Sequence, residues 1–550
     1  MEKIKPKLFS VMKSYSTEQL VKDIISGIIV AIIALPLSIA LAIASGVGPQ
    51  EGLYTAIVAG FVVGFLGGSR VQIAGPTAAF ATIVAGIVAR ENGMSQLVIA
   101  TIMAGIILII MGFCRMGSLI HYIPTTITSG FTFGIAVTIA LGQVKDFLGL
   151  TFTKSPVETV EKAVEAVKCI GTFNYQAFLV GIASLAVLIF WPKRLQKVPA
   201  SLVAVIGSSA AVILLGLRVN TIGDLYTVTS KLPEFHMPAF SLKMIIDLFP
   251  DAVTIAVLAG IESLLSCVVS DSMIGSKHRS NMELIAQGAG NIASAFFGGI
   301  PATGALARTA ANVKNGGRTP VSAMVHSVVL LLIIVFLMPY AALIPMPAIA
   351  AILFMVAYNM SGWRNIIHQI KTSPKSDTIV LVTTLVLTVV FDIVVAIGIG
   401  FMLASLLFMK RMAEVTEVNA WVYPDAVDEE DDTDSLFYKK VPSNVRVFEI
   451  NGPMFFAASD KLTGVIDDTS EDVLIIRMRS VPAIDATGVQ ALEEILEKCK
   501  KNRIKVIFSH VNEQPMTVMK KAGFIDMVGG ENFCEHIDAA LERADEIIAA

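Results

Sequence analysis

Two kinds of feature in this 550-residue chain invite chemistry. The first is ionisable side chains set inside apolar runs. Glu262 sits in the middle of Val257-Leu258-Ala259-Gly260-Ile261-Glu262-Ser263-Leu264-Leu265-Ser266. In a bilayer, a carboxylate at that depth costs at least ~2.5 kcal/mol unless it is paired, hydrated or protonated. Burial disfavours its ionised form, so such a carboxyl can take up and return a proton near neutral pH. Ser266, one turn on at i+4, shares its helical face. A structural hydrogen bond to a neighbouring helix is the other use of Glu262. The expectation is ion coupling, because intramembrane acids mark ion pathways. Arg308 either offers positive charge to an anion, or snorkels or pairs with a carboxylate.

The second feature is a pair of Gly/Pro breaks, Ala74-Gly75-Pro76-Thr77-Ala78-Ala79-Phe80 and Gly298-Gly299-Ile300-Pro301-Ala302-Thr303-Gly304-Ala305. Gly and Pro disfavour a continuous helix there and permit an extended stretch followed by a helix start. A helix N-terminus carries unpaired N–H groups and about half a positive charge. Two such ends facing one cavity favour an anion. Kinks in two packed helices are the plainer explanation. Breaks at matching positions of two inverted halves favour binding.

These features need elements to hold them. Hydrophobic residues make up 54% of the chain and charged residues only 16%, against about 25% charged in soluble domains. The net charge of −3 shows no basic nucleic-acid footprint. Apolar segments near spanning length fall at 24–44, 53–67, 76–89, 96–113, 123–142, 177–191, 199–216, 250–270, 284–297, 302–313, 319–338, 343–358, 377–391 and 393–409. That makes two sets of seven, with a broken segment third in each. Because seven is odd, the second set enters the membrane inverted. With the Lys-rich N-terminus inside, each inside loop is basic: Arg70; Arg115; Lys193, Arg194 and Lys197; Lys277 and Arg279; Lys314 and Arg318; Arg364, Lys371 and Lys375; then Lys410 and Arg411. Arg90 and several Lys of 143–176 and 217–249 are exceptions. Both ends are therefore expected in the cytoplasm, with the protein multi-pass in the inner (plasma) membrane. The run 24–44 is too long for a signal core, so it reads as an uncleaved first helix. Asp392 reads as a turn residue between the last two segments.

Cys114, Cys169, Cys267, Cys499 and Cys534 show neither a disulfide framework nor metal spacing, and the seven histidines form no metal-binding pair. No metal or cofactor is expected. After the last apolar segment comes an acidic run, 425–434, expected as a solvated linker. From about Val441 an α/β pattern begins. Strands are expected at Val445–Ile450, Pro453–Ala457, Val473–Met478 and Ile504–Ser509, and helices at Val489–Lys500, Glu513–Ala522 and Cys534–Ile548. The expected domains are 1–23, a cytoplasmic N-terminal segment; 24–409, the membrane domain; 410–440, the acidic linker; and 441–550, the α/β domain.

Gly67-Gly68-Ser69-Arg70 leading into Ala74-Gly75-Pro76-Thr77-Ala78-Ala79 resembles the third-span signature of the sulfate permease (SulP) family of anion transporters. Gly260-Ile261-Glu262-Ser263-Leu264-Leu265 and Ala305-Leu306-Ala307-Arg308-Thr309-Ala310 resemble its eighth and tenth spans. Asp485-Ala486-Thr487-Gly488 resembles the turn of the STAS domain. The resemblance implies a helical membrane protein of fourteen segments in a seven-plus-seven inverted repeat, with a core domain (spans one to four and eight to eleven), a gate domain and a small α/β STAS domain. It implies an elevator movement and a homodimer. Carried over by motif, Thr77, Ala78, Gly304 and Ala305 line the anion site; Ala79, Thr303 and Arg308 are counted with them as substrate-binding. Glu262 takes the ion-coupling position with Ser266 beside it, and Glu rather than Asp there favours H⁺ over Na⁺. Ala307 stands where some animal members have Ser, so that anion contact does not carry over. Ser276-Lys277-His278-Arg279-Ser280-Asn281 is most similar to bacterial proton-coupled C4-dicarboxylate members; sulfate and bicarbonate transporters share the scaffold. In STAS-fold anti-sigma antagonists the residue at Thr487 can be phosphorylated. Here a helix-capping role for Thr487 is expected instead, with the STAS domain binding a protein partner. The expected function is secondary active anion transport, not enzymatic catalysis. An uncoupled exchanger or channel, or a STAS regulator with a membrane anchor, is the alternative.

Overall fold

The computed structural model describes residues 4–118, 124–154, 156, 158–192, 198–238, 240–391, 393–420, 441–442, 444–455 and 472–549. Asp392, the basic loop residues Lys193, Arg194 and Lys197, and the acidic run 425–434 lie outside these. The chain divides into two compact units, Met1–Phe401 and Met402–Ala550.

In the first unit, a short helix α1 (Leu8–Val11) precedes α2 (Thr17–Ala44) and α3 (Pro49–Leu66). Strand β1 (Ala74–Gly75) leads through a 3₁₀ turn at Ala78–Phe80 into α4 (Ala81–Val88), and α5 (Gly93–Phe113) and α6 (Thr125–Leu148) follow. Next come α7 (Thr159–Lys168), α8 (Tyr175–Phe190), α9 (Ala200–Leu215) and α10 (Ile222–Leu225). The second half holds α11 (Leu242–Ile274), α12 (Ser280–Phe296), β2 (Thr303–Gly304), α13 (Leu306–Lys314) and α14 (Val321–Ala341). It closes with α15 (Met346–Ser361), α16 (Trp363–Thr372) and α17 (Lys375–Val390), and the division between the units falls within α18 (Ile393–Val415). Every apolar segment read from the sequence coincides with a helix. Among the described residues, eight helices are long and apolar enough to cross a membrane on those criteria alone. The third and tenth segments are short because the chain is extended before each helix begins.

Two sets of helices pack mainly among themselves. One set is α2–α5 with α11–α14; the other is α6, α8, α9, α15 and α17. Small residues let backbones approach in the first set. A Cβ built on Gly105 of α5 would press on the Gly288 carbonyl of α12, and one on Gly288 would press on the Gly105 carbonyl. Outward side chains are large and apolar: Leu214 is 84% exposed, Phe190 79% and Phe336 69%. That surface suits lipid rather than water. Arg90, an exception to the charge pattern, pairs with Asp251 at 2.6 Å.

In the second unit, β3 (Glu417–Ala420), β4 (Val445–Asn451), β5 (Val473–Ser480), β6 (Lys505–Ser509) and β7 (Phe533–Cys534) form one sheet in that order. The β3–β4 pair is antiparallel and the others are parallel. Central β5 is buried on both faces, as parallel strands between helices are. Its Leu474 and Ile476 pack with α19 (Ala486–Lys501), α20 (Glu513–Lys521) and α21 (Phe524–Val528). Its Val473 and Ile475 pack with Ile537, Ala540 and Leu541 of α22 (Ile537–Ala549). Strand β3 lies within the segment expected as a linker. In place of a strand at Pro453–Ala457 there is a single bridge, Met454 to Ile484; 456–457 lie outside the described residues. The last helix starts at Ile537 rather than Cys534, whose backbone instead belongs to β7.

Candidate functional site

The two breaks meet. β1 and β2 pair antiparallel, Ala74 opposite Gly304 and Gly75 opposite Thr303. Extended backbone inside a membrane domain must find partners for its N–H and C=O groups, and side chains from surrounding helices supply several. Asn291 accepts from Ala302 N and donates to Ala302 O, both at 2.8 Å. Thr309 Oγ1 accepts from Ile73 N at 3.1 Å, and Asn312 donates to Val71 O at 2.9 Å. Thr55 Oγ1 accepts from Ile300 N at 2.7 Å. The helix starts at Ala78 and Leu306 therefore stand on a braced pair of strands.

A cavity of about 400 Å³ opens over this pair. Thr77, Ala78, Glu262, Ser266, Gly304, Ala305 and Arg308 all line it, so seven of the nine expected transport-site residues converge on one space. Most of the rest of the wall is apolar, including Leu37, Phe131 and Met360. Ala79 and Thr303 are not among the lining residues. Ala79 is fully buried, and the Thr303 hydroxyl donates to Ala259 O at 2.9 Å.

Within the cavity, Thr77 donates to Glu262 Oε2 at 2.8 Å, which ties the opening of the third segment to α11. Ser266 donates to Gln72 Oε1 at 3.0 Å. Arg308 is 1% exposed and donates from Nη2 to Pro76 O at 3.2 Å. Its Nε and Nη1 have no hydrogen-bond partner. No carboxylate pairs with it among the described residues, which favours the first of the two uses read from the sequence. Both nitrogens are buried, so what Arg308 brings to the two helix starts is its positive charge, which favours an anion nearby.

Several supporting residues were not singled out in the sequence. Gln72 donates to Ser263 O and Oγ at 3.2 and 3.1 Å. Ser263 in turn donates to Glu283 at 3.2 Å, and Glu283 accepts the Gly68 and Ser69 N–H groups. His326 is fully buried on α14, with neither ring nitrogen partnered. Gln72, three residues before Gly75, carried a faint signal as a polar residue entering the break. Glu283 and His326 lie in segments whose other polar residues are equally buried, so type and position alone did not mark them.

Thr487 corrects an expectation. The N-cap of α19 is Asp485, which accepts from Gly488 N at 2.8 Å. Thr487 lies inside the first turn and is exposed. An Asp at N-cap satisfies the free N–H better placed than a hydroxyl already within the helix.

Residues 20–384 match the sulfate permease family, and residues 438–540 match the STAS domain. The chain is 38% identical over 477 residues to the putative sulfate transporter YvdB of Bacillus subtilis, a match covering 86% of this chain and 88% of that one. It is 29% identical over 494 residues to the bicarbonate transporter BicA of Synechocystis, covering 87% and 86% of the two chains. The solved transmembrane domain of a cyanobacterial bicarbonate transporter BicA aligns at TM-score 0.61 and 29% identity, over 70% of this chain and 99% of that one. The murine Slc26a9 anion transporter aligns at TM-score 0.87 over 99% and 94% of the chains; at 17% identity this is a likeness of fold alone. These relatives are transporters, not enzymes. With a braced cavity between two broken segments and matches along both units, the chain belongs to the sulfate permease family of membrane anion transporters and carries a C-terminal STAS domain.

Proposed function

We propose that this protein is a secondary active anion transporter, an H⁺ symporter in which the α2–α5 and α11–α14 set moves as an elevator against the remaining helices. The observation that carries the reading is the Thr77–Glu262 hydrogen bond inside the cavity that Arg308 also lines. It joins a proton-binding group to the backbone that would hold the anion. Protonation of Glu262 ends its role as a pure acceptor and removes a negative charge from the anion's surroundings, so proton and anion favour each other's binding. Packing of the helices into two sets supports relative movement of those sets. In this reading residues 24–409 transport, 441–550 form the body of the STAS domain, and 410–440 link them and contribute β3. The protein works as a homodimer in the inner (plasma) membrane with both termini cytoplasmic, its STAS domain binding a protein partner. The substrate is sulfate, bicarbonate or a C4-dicarboxylate, all small anions. The named activities of its relatives support the first two, and the likeness at Ser276–Asn281 the third.

Uptake of labelled sulfate, succinate, fumarate and bicarbonate into proteoliposomes, with imposed H⁺ or Na⁺ gradients, tests this. One anion should be concentrated under an inward H⁺ gradient and not under Na⁺ alone. Glu262→Gln keeps shape but cannot ionise, and should abolish the gradient-driven component while binding survives. Equilibration without concentration in the native protein would make it an uncoupled exchanger or channel.

A further inference from the structure

Away from the cavity, three separate stretches of chain converge and bring like charges together. The N-terminal segment before α2 is anchored by buried Leu8 and Val11. Its backbone joins the 67–70 loop through Lys7 N to Gly67 O at 2.9 Å, and that loop joins the 275–280 loop through Arg279 N to Gly68 O at 3.0 Å. Arg279 also donates to Lys5 O at 2.7 Å and Ser10 Oγ at 3.0 Å. Lys7 Nζ donates to Lys277 O at 2.7 Å.

Residues 4–13, 67–70 and 275–280 hold Lys5, Lys7, Lys13, Arg70, Lys277 and Arg279, and not one Asp or Glu. Two acids lie nearby. Asp271 accepts from the backbone and ring of His278, and Glu283 is buried under the Gly68 and Ser69 N–H groups. Burial, then the charges of Arg279 and Arg70, hold the Lys7 ammonium below its ordinary range against the smaller opposing charge of Asp271. Arg70 Nε is buried without a partner. Beside this cluster lies an apolar rim: Phe9 is 47% exposed and Met12 49%, and Phe9 packs edge-on to Phe65 of α3 at 5.9 Å.

Cations in excess of acids, next to exposed aromatic and thioether groups at the end of membrane-crossing helices, match a phospholipid, charged at its head and apolar below. We propose that Lys7 and Arg70, framed by Arg279 and Phe9, bind the phosphate headgroup of an anionic phospholipid. The bound lipid relieves the repulsion among the cations and holds the N-terminal segment against the two loops. A soluble phosphate would satisfy the charges but leave Phe9 and Met12 without a partner.

Native mass spectrometry of the full chain in neutral detergent tests this, using phosphatidylglycerol and phosphatidylcholine with the same acyl chains. The native protein should retain phosphatidylglycerol preferentially. Lys7→Gln with Arg70→Gln should reduce that preference by about five-fold for each cation lost. Lys7→Arg with Arg70→Lys keeps the charges and should keep the preference, which separates a charge effect from misfolding. Equal retention of the two lipids by the native protein, or an undiminished preference in the Gln variant, overturns the proposal. So does displacement of the lipid by an equal concentration of glycerol 3-phosphate, which would mark a site for soluble phosphate.

Discussion

At the scale of single residues, Arg308 and Thr487 show how partners decide roles. Arg308 lines the cavity, uses one nitrogen to hold Pro76 O and keeps its other two buried without partners. A charge-assisted hydrogen bond is worth roughly 1.5–3 kcal/mol. Arg308→Gln should therefore raise the KM for the transported anion by about tenfold or more. An unchanged KM in a variant that inserts and folds would remove Arg308 from the site. Thr487 lost its capping role to Asp485, and the stabilities should show it. Asp485→Ala should cost about 1 kcal/mol, whereas Thr487→Ala should stay within about 0.5 kcal/mol. Denaturant melts of the STAS unit measure both, and the reverse order would restore the cap to Thr487.

At the scale of elements, the β1–β2 pair is the device on which the site depends. Gly304 is there because nothing larger fits. A Cβ would overlap the Gln72 side chain that also holds Ser263 and accepts from Ser266. Gly304→Ala should abolish transport and lower stability by about 1–3 kcal/mol, as overpacking does; full activity in this variant would show that the pair yields easily. The helix start at Ala78 allows a milder probe. Thr77 has φ −127°, ψ 160°, an extended conformation that a following proline favours, but a φ that proline itself cannot adopt. Ala78→Pro is thus the substitution that removes one N–H at the proposed anion site while keeping the Thr77 backbone as it is. It should weaken anion binding, read as a higher KM at unchanged surface expression. Normal affinity would move the anion away from that helix start.

At the scale of the molecule, the two units obey different solvents. The first turns Leu, Ile and Phe outward and keeps its hydrogen-bonded networks inside, while the second buries a sheet between helices in the ordinary soluble way. The STAS unit also draws on chain beyond its α/β pattern. Strand β3 pairs with β4 from Glu417 opposite Asn451 to Ala420 opposite Phe448. A fragment of residues 416–550 should be more stable than one of 441–550, by about 2 kcal/mol for the lost ladder bonds. Identical melting of the two fragments would make β3 dispensable.

The sequence alone determined which segments are helical and apolar, where the third and tenth are interrupted, and that an acid and a base lie deep in apolar runs. Those properties are local: composition, Gly and Pro backbone preferences, and desolvation act on each segment separately. The apolar segments were legible because lipid demands apolar surface, and the strands β4, β5 and β6 because alternating and buried runs show in order. The tertiary structure decided which side chains share a space. It paired Ala74 with Gly304 across 230 residues of chain, turned Thr303 away towards Ala259, and brought Thr77 to Glu262. It recruited Gln72, Asn291 and Glu283 as braces and gave the α19 cap to Asp485. β3 escaped the sequence reading because a four-residue edge strand owes its existence to its partner. Hydrogen-bond partners distant in sequence leave no periodic trace, so only packing could assign them.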